Sequence, residues 1–379
     1  MSGPPRLPST VISRRVAIAL PLLALIAGRF GGAAAAAPSL GGGDVPSRGF
    51  NLPGWVDRED GTAMSQGVLE KLHRLGFETI RLPVDPGLIG ADDASARRDL
   101  LRRVDTAISA CLTAGFRVIV DMHPSGPLVA AFGDDLQGAL RIAVAGWKNL
   151  GSVVAQWPTQ SVFPELLNEP PMERPHWVEL RDRLAAIVRD KCPQHTLVWG
   201  PSRYQGIWEV FDTPALPDRN AIVAVHYYTP MGFTHQCENW DWSPLARIAN
   251  LPFPATRNAP AIEALADKFR NAGDQEALDF LDGEFKGAWT AARIAADFAG
   301  LAQWAAKTGS RVMLNEFGVL NFCVDPTSRA SWVRSVRTAA EANGIGWTYW
   351  EADQGFGFIK DRRRTDGFDA ATIDALVKT

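Results

Sequence analysis

The stretch Gly115–His123 reads GFRVIVDMH and contains the unit on which the fold is built. Its glycine ends an amphipathic helix that we predict over Asp99–Ala114. The apolar run that follows is typical of a strand buried on both faces of a parallel sheet, and it ends at a histidine. The same order of helix, glycine and apolar strand recurs at Gly76-Phe77 and at Gly344-Ile345. This repetition predicts a chain of alternating strands and helices.

Eight apolar runs fit this alternation, and amphipathic helical patterns lie between several of them. We therefore predict an α/β fold, a (β/α)8 TIM barrel in a single domain. A doubly wound open sheet is the alternative, but it needs a glycine-rich turn after an early strand, whereas Gly41–Gly43 precede the first one. The predicted strands are Gly49–Leu52, Thr79–Val84, Arg117–Met122, Val162–Leu167, Thr196–Trp199, Ile222–Tyr227, Arg311–Asn315 and Gly346–Trp350. The further predicted helices are Gln66–Leu75, Trp177–Lys191, Ala291–Thr308 and Arg329–Asn343.

Two features depart from the regular pattern. Pro164 lies inside the fourth predicted strand, where it cannot donate a backbone hydrogen bond, so we expect a local bulge there. Residues 229–289 show no clean periodicity and are rich in Pro, Trp and Asn. We interpret them as an elaborated loop region with short helices on the top face of the barrel domain, which we place at residues 47–379.

The N-terminal region has the pattern of an export signal, which we assign to residues 1–37. Two arginines precede the apolar run Val16–Ala27, and an alanine tract follows at Ala33–Ala37. The arginine pair resembles a twin-arginine signal, although Ala17 stands where a large apolar residue is usual, so a Sec signal is the alternative. Residues 38–46 then form a flexible linker. We expect an exported protein, periplasmic or extracellular.

Composition narrows the classes of partner. The formal net charge is −3, so no basic excess indicates binding to nucleic acid or to an anionic membrane. The apolar N-terminal run is too short to span a bilayer, so we expect no membrane association in the mature form. The four cysteines include no CxxC pair, and no HExxH or His/Asp cluster is present, so we predict no metal and no cofactor. We expect a monomer.

Polar or amphipathic residues directly follow the predicted strands, where barrel enzymes carry their catalytic groups. Each residue taken alone is more often structural or solvated than functional. The set is more informative than its members, and it comprises Arg81, His123, Asn168, Glu169, His226, Tyr228, Glu316 and Trp350.

The motifs around these residues resemble those of glycoside hydrolase family 5, the cellulase family. LLNEP at residues 166–170 is similar to the family's acid/base motif, and LNEFG at residues 314–318 is similar to its nucleophile motif. IRLP, DMH, VHYY and YW resemble its motifs on strands two, three, six and eight. The resemblance implies a retaining β-glycosidase with Glu169 as acid/base and Glu316 as nucleophile. It covers the chain from about Gly49 to the end.

The residue types suit this chemistry. Cleavage of a glycoside needs one carboxylic acid to protonate the leaving oxygen and one carboxylate across the anomeric carbon. We expect Arg81 and Tyr228 to keep Glu316 ionised, and we expect the nearby Glu316 and partial burial to raise the pKa of Glu169. His226 and Tyr228 share one face of a strand and can serve both carboxylates.

The remaining predictions concern the substrate. Asn168 and His123 carry donors for sugar hydroxyls, and Trp350 can stack on the sugar. Further candidate sugar platforms, for which loop packing is an equally good explanation, are Trp55, Trp240, Trp242, Trp289 and Phe322. We expect a β-glucan or related polysaccharide or oligosaccharide, cut in endo or exo mode. The alternatives are a β-mannanase, a transglycosylase and a carbohydrate-binding pseudoenzyme.

The four cysteines allow three pairings. Cys237 and Cys323 follow the sixth and seventh predicted strands, whose loops emerge side by side on one face of a barrel. We therefore predict a disulfide between them, with four free thiols as the alternative.

Overall fold

The computed structural model describes residues 45–89, 93–240 and 243–378. The predicted export signal at residues 1–37, most of the predicted linker and Trp242 lie outside these residues. Within the part of the chain that is described, we find no helix with the length and hydropathy that a membrane span requires.

Eight parallel strands form a closed barrel in the order of the chain, and the first strand pairs with both the second and the eighth. The predicted (β/α)8 barrel is thus confirmed, and every predicted strand end is correct to within two residues. The strands are β1 Gly49–Asn51, β2 Thr79–Val84, β3 Arg117–Met122, β4 Val162–Glu165, β5 Leu197–Trp199, β6 Ala221–His226, β7 Arg311–Glu316 and β8 Gly346–Tyr349.

Helices lie between the strands and pack around them. They are α1 Gln66–Arg74, α2 Pro86–Ile89, α3 Ala94–Thr113, α4 Gly126–Asp134, α5 Leu136–Val154, α6 Arg174–Lys191, α7 Met231–Thr234, α8 Pro260–Ala272, α9 Gln275–Glu284, α10 Ala291–Thr308, α11 Pro326–Ala342 and α12 Ala370–Val377. Short 3-10 turns occur at Glu209–Phe211 and Pro244–Arg247.

The predicted loop region over residues 229–289 contains short helices, and the longer two are α8 and α9. Ile262, Leu265, Ala266 and Phe269 of α8 are buried at helical spacing. This helix is followed by Gly273 in the left-handed conformation, which favours glycine. The many prolines and tryptophans around the helices hide this short periodic stretch.

The expected bulge at Pro164 is also wrong, because β3 and β4 pair in unbroken register from Val118 with Val162 to Asp121 with Glu165. Leu166 donates its N–H to Val198 on β5. Backbone groups of a strand point to the same neighbour at every second residue, so an N–H at position 164 would face the carbonyl of Thr196. Because Thr196 lies before the start of β5, the N–H that proline lacks removes no hydrogen bond between β4 and β5. The irregularity lies instead in β6, between Val225 and His226.

The interior of the barrel is layered. An apolar layer is formed by Ile119, Phe163, Val198, Ile222, Ala224 and Met313. Two residues further along three of these strands, the inward positions become polar at Asp121, Glu165 and Asn315, all without exposed surface. The sequence therefore places a polar layer at the carboxyl end of the barrel, directly below its mouth.

Candidate active site

The strand-end residues predicted from the sequence converge at the mouth of the barrel. A cleft of about 390 Å³ is lined by His123, Asn168, Glu169, Tyr228, Glu316 and Trp350, among others. Arg81 and His226 lie below it and are almost fully buried. The structure thus brings together all eight residues of the predicted set.

Two carboxylates face each other across this cleft. One oxygen of Glu169 and one of Glu316 lie within 4.8 Å of each other and of a ring nitrogen of His226. Retaining glycosidases hold their two carboxyl groups about 5–5.5 Å apart, which is too close for a water molecule and a sugar to share the gap. The separation suits direct attack by one carboxylate on the anomeric carbon.

Glu316 is held by donors on both of its oxygens. Arg81 donates from Nη1 to Oε1 at 2.6 Å, and the Tyr228 hydroxyl donates to Oε2 at 3.0 Å. Burial, together with the negative charge of Glu316, raises the pKa of Tyr228 well above its usual value, so this hydroxyl remains a donor. Arg81 and Tyr228 thus fix the positions of both Glu316 oxygens at the mouth of the barrel.

Arg81 also belongs to a buried network that the sequence analysis missed. Its Nε and Nη2 donate to both oxygens of Glu165 at 2.7 and 2.9 Å, and Nη2 is 3.0 Å from Asp121. Asn315 donates to Glu165 at 2.7 Å, and Asn51 accepts from Arg81 at 2.9 Å. Burial opposes the charge on Arg81, but the neighbouring carboxylates raise its pKa well above the usual value. The sequence feature that could have predicted this network is the presence of four polar residues inside otherwise apolar strands, namely Asn51, Asp121, Glu165 and Asn315.

Glu169, the second carboxyl group of the cleft, has a shifted pKa. Burial raises the pKa of Glu169 to about 7, and the positive charges of His123 and Arg81 only partly oppose the rise. Of the two causes expected from the sequence, burial is the larger one, and Asp121 is the carboxylate whose charge adds to it. The side chain still exposes 36% of its surface to the cleft, so a bound sugar would remove further water from it.

His226 joins the two carboxylates. Its Nδ1 is 3.0 Å from Glu169 Oε1 and 3.4 Å from Glu316 Oε2. Burial lowers the pKa of His226 to about 4, so the ring is neutral. Although a Glu–His–Glu trio has the donor types of a metal site, both Glu316 oxygens already accept hydrogen bonds from Arg81 and Tyr228. The arrangement favours proton transfer chemistry over metal binding.

His123 and Asn168 form a hydrogen-bonded chain along one wall. Arg81 donates to Asn168 Oδ1 at 2.7 Å, which turns the Asn168 amide nitrogen toward His123 Nε2 at 3.2 Å. His123 Nδ1 pairs with Asp121 at 2.7 Å. The His123 ring stacks on Trp350 with centroids 5.4 Å apart. These contacts fix a polar wall and an aromatic face beside the two glutamates.

Comparison with known proteins shows the family. Residues 39–355 match the model of the family described as cellulase (glycosyl hydrolase family 5). The chain belongs to this cellulase family.

Three similar proteins share between 21% and 24% of their residues with this chain. Endoglucanase 3 of Fibrobacter succinogenes is 24% identical over 86% of this chain and 52% of its own length, so the chain spans about half of that relative. Endoglucanase C of Acetivibrio thermocellus is 22% identical over 87% of this chain and 98% of its own. The structure of Thermotoga maritima Cel5A in complex with mannotriose has a TM-score of 0.71 at 21% identity, covering 88% of this chain and 97% of that one. The structural likeness shows a shared fold.

The aromatic residues predicted as sugar platforms divide into two groups in this cellulase-family chain. Trp240 and Phe322 line the cleft with 58% and 46% of their surface exposed. Trp55 and Trp289 are buried and do not line it, so the prediction of platforms there needs correction. Trp289 donates its indole N–H to the Glu284 carbonyl and packs its ring under Arg293. The cleft wall also contains His235, Gln354 and Phe356, which the sequence analysis did not select.

Cys237 and Cys323 form a disulfide in the structure, with Cα atoms 6.3 Å apart. Cys111 and Cys192 are buried free thiols. The bridge ties the loop after β6 to the loop after β7, and each cysteine lies close in sequence to a cleft aromatic residue, Trp240 or Phe322. It therefore supports one wall of the cleft in this family member.

Proposed function

We propose that this chain is a retaining β-glycosidase that hydrolyses a β-glucan or a related polysaccharide or oligosaccharide by double displacement. The observation that carries the proposal is the pair of glutamates within 4.8 Å of each other. One accepts hydrogen bonds from Arg81 and Tyr228 on its two oxygens, while burial raises the pKa of the other to about 7. Two carboxyl groups in opposite protonation states are what the reaction requires.

The proposed reaction has two steps. Protonated Glu169 gives its proton to the glycosidic oxygen while a Glu316 oxygen attacks the anomeric carbon and forms a glycosyl ester. Glu169, now a carboxylate, takes a proton from water, which attacks the same carbon and releases Glu316. Neutral His226 donates to Glu169 in its ionised form, and Tyr228 and Arg81 receive Glu316 when it leaves the ester. Two inversions retain the configuration.

The substrate assignment rests on the names of relatives and on the aromatic cleft. The two relatives described above are both named endoglucanases, which favours β-glucan. A β-mannan is the second candidate, because the Cel5A structure with the same fold was determined with mannotriose. A transglycosylase would use the same two glutamates with a sugar acceptor in place of water.

Azide rescue tests the two roles separately. The Glu316→Gly variant with azide should give a glycosyl azide of inverted configuration, and the Glu169→Ala variant with azide should give the retained one. A panel of β-1,4-glucan, β-1,3-glucan, β-mannan and xyloglucan, with products measured by size, would identify the substrate and the endo or exo mode. Near-wild-type activity of either glutamate variant would overturn the assignment, and an inactive wild type would indicate a pseudoenzyme.

We also propose that the protein is exported and acts as a monomer without a membrane anchor in its mature form. The support is the sequence of residues 1–37, with its arginine pair, apolar run and alanine tract. N-terminal sequencing of the mature protein and light scattering would test these points. An uncleaved N-terminus in the purified native protein would contradict the signal assignment.

A further inference from the structure

Glu169 has an unusual backbone for a residue that must be placed accurately. Its φ is +43°, in the left-handed region that residues other than glycine rarely adopt. In an extended chain, neighbouring side chains point to opposite faces, but here Asn168 and Glu169 both line the cleft. The left-handed turn makes this shared orientation feasible, and it directs the Glu169 N–H away from the barrel ladder.

Gln205 receives this N–H. Its side-chain Oε1 accepts from the Glu169 N–H at 2.6 Å, and its Nε2 faces the Ala224 carbonyl of β6 at 3.4 Å. The Gln205 backbone carbonyl accepts the N–H of His226 at 2.8 Å. One residue after β5 therefore fixes the backbone of Glu169 and the backbone of the histidine that contacts the Glu169 carboxyl.

The surroundings of Gln205 are built to hold it. The residue has no exposed surface, and it is the last of three consecutive left-handed residues, after Arg203 and Tyr204. A Cβ atom on Gly200 would lie 2.2 Å from the Gln205 side chain, so a glycine is needed at that position. The left-handed residues 203–205 and Gly200 together fix the position of the Gln205 side-chain amide.

We propose that Gln205 is a positioning residue that orients Glu169 for proton transfer to the leaving group. It acts through the Glu169 N–H and through His226, and it does not touch the substrate. The inference rests on the proposed role of Glu169 as acid/base. Loss of the amide acceptor would let the Glu169 backbone relax and would move the carboxyl out of line with the glycosidic oxygen.

A comparison of leaving groups tests this role. The Gln205→Met variant keeps the length of the side chain but removes the strong acceptor. We expect its kcat/KM to fall roughly 100-fold for phenyl β-cellobioside, since small misplacements of catalytic groups have effects of that order. For 2,4-dinitrophenyl β-cellobioside, whose leaving group needs no proton, we expect less than about a fivefold loss in the glycosylation step. Gln205→Glu keeps an accepting oxygen and should recover part of the loss at low pH.

Gln236 provides a matched control. It is equally buried, its Oε1 accepts the Leu251 N–H at 2.9 Å, and its Nε2 donates to the Phe233 carbonyl at 2.9 Å. Gln236→Met should lower the melting temperature, but it should change kcat/KM by the same factor for both aryl substrates. Gly200→Ala keeps Gln205 but crowds it, and we expect the same leaving-group bias as in Gln205→Met.

A readout that does not need turnover separates this proposal from the proposed function. Carbon-13 NMR titration of the Glu169 carboxyl, assigned with Glu169→Gln, should show a lower pKa in Gln205→Met than in the wild type, because the freed side chain gains water. An unchanged titration together with equal losses on both substrates would overturn the positioning role. A wild type inactive on both aryl glycosides would count against the glycosidase, while the titration would still decide the role of Gln205.

Discussion

Arg81 lies 2.6 Å from Glu316, and the arginine side chain has no exposed surface. The same guanidinium contacts Asp121 and Glu165, so one buried cation faces three carboxylates from β3, β4 and β7. Because water cannot reach this cation, its charge is weakly screened and acts strongly on each partner. Arg81 therefore links the stability of the barrel to the charge of the proposed nucleophile.

Removal of Arg81 should destabilise the fold as well as the site. Arg81→Met leaves three buried carboxylates without their cation, and breaking a buried ion pair in this way costs about 3–5 kcal/mol in the free energy of unfolding. Urea unfolding at pH 7 would measure it. As a control, Arg102→Met removes an exposed pair with Asp99, which should change the free energy by less than about 1 kcal/mol. Equal effects of the two variants would contradict the proposed network.

The pH profile of kcat/KM should be bell-shaped, and its basic limb should report Glu169. The pKa of Glu169 is about 7, so the protonated acid is abundant below pH 7 and falls tenfold for each pH unit above it. Activity on a substrate with a poor leaving group should fall accordingly above pH 7. With a 2,4-dinitrophenyl glycoside as substrate, the basic limb of the pH profile should largely disappear. A flat profile from about pH 4 to 9 on both substrates would contradict a carboxyl pair.

The same shift predicts how stability depends on pH. The folded protein binds the Glu169 proton more tightly than the unfolded chain, whose pKa is near the ordinary value of 4.5. Ionisation therefore destabilises the folded state as pH rises from about 4.5 to 7, and the effect is constant above that range. Glu169→Gln lacks it, so its melting temperature relative to the wild type should rise across this window. A pH-independent difference between the two melting curves would contradict the raised pKa.

Strands and catalytic glutamates were predictable from the sequence because their signals are local. Strands β2, β3, β7 and β8 are short apolar runs that closely follow a glycine, and the two glutamates lie at or just beyond the carboxyl ends of β7 and β4. The buried network was not predictable in this way, because Glu165 meets Arg81 across 84 positions of the chain. Glu165, a charged residue inside the apolar run Val162–Leu167, indicated that a buried partner exists. Only the closed barrel shows that this partner is Arg81.

The sequence also did not predict which aromatic residues are exposed and which are buried. Trp240 and Trp289 are both tryptophans in the segment after β6, and their flanking sequences do not tell them apart. Exposure is decided by α8 and α9 and by the packing of the segment between them and the barrel. The main cause of the raised Glu169 pKa was hard to predict for the same reason, because the burial of Glu169 depends on loops that are distant in the sequence.

These two tryptophans should separate binding from stability. Trp240→Ala removes an exposed ring from the cleft, and we expect KM on a soluble β-glucan to rise roughly tenfold, which corresponds to about 1.4 kcal/mol. Its melting temperature should change little. Trp289→Ala truncates a buried ring and should cost about 3–5 kcal/mol of stability with little change in KM. A larger KM effect for Trp289→Ala than for Trp240→Ala would contradict the assignment of the cleft.

The disulfide between Cys237 and Cys323 should stabilise both the fold and the cleft wall. It joins positions 86 residues apart, and closing a loop of that length in the unfolded chain stabilises the fold by about 4–5 kcal/mol in the chain-entropy model. The bridge restrains the loops that carry Trp240 and Phe322, so its loss should raise KM on the polymer more than it lowers kcat. The double variant Cys237→Ser/Cys323→Ser should therefore melt at a lower temperature and bind substrate more weakly. Reductant should lower the melting temperature of the wild type but not that of the double variant, in which Cys111 and Cys192 remain as buried thiols. If reductant leaves the wild type unchanged while both cysteines label with a thiol reagent, the loops are held by packing alone.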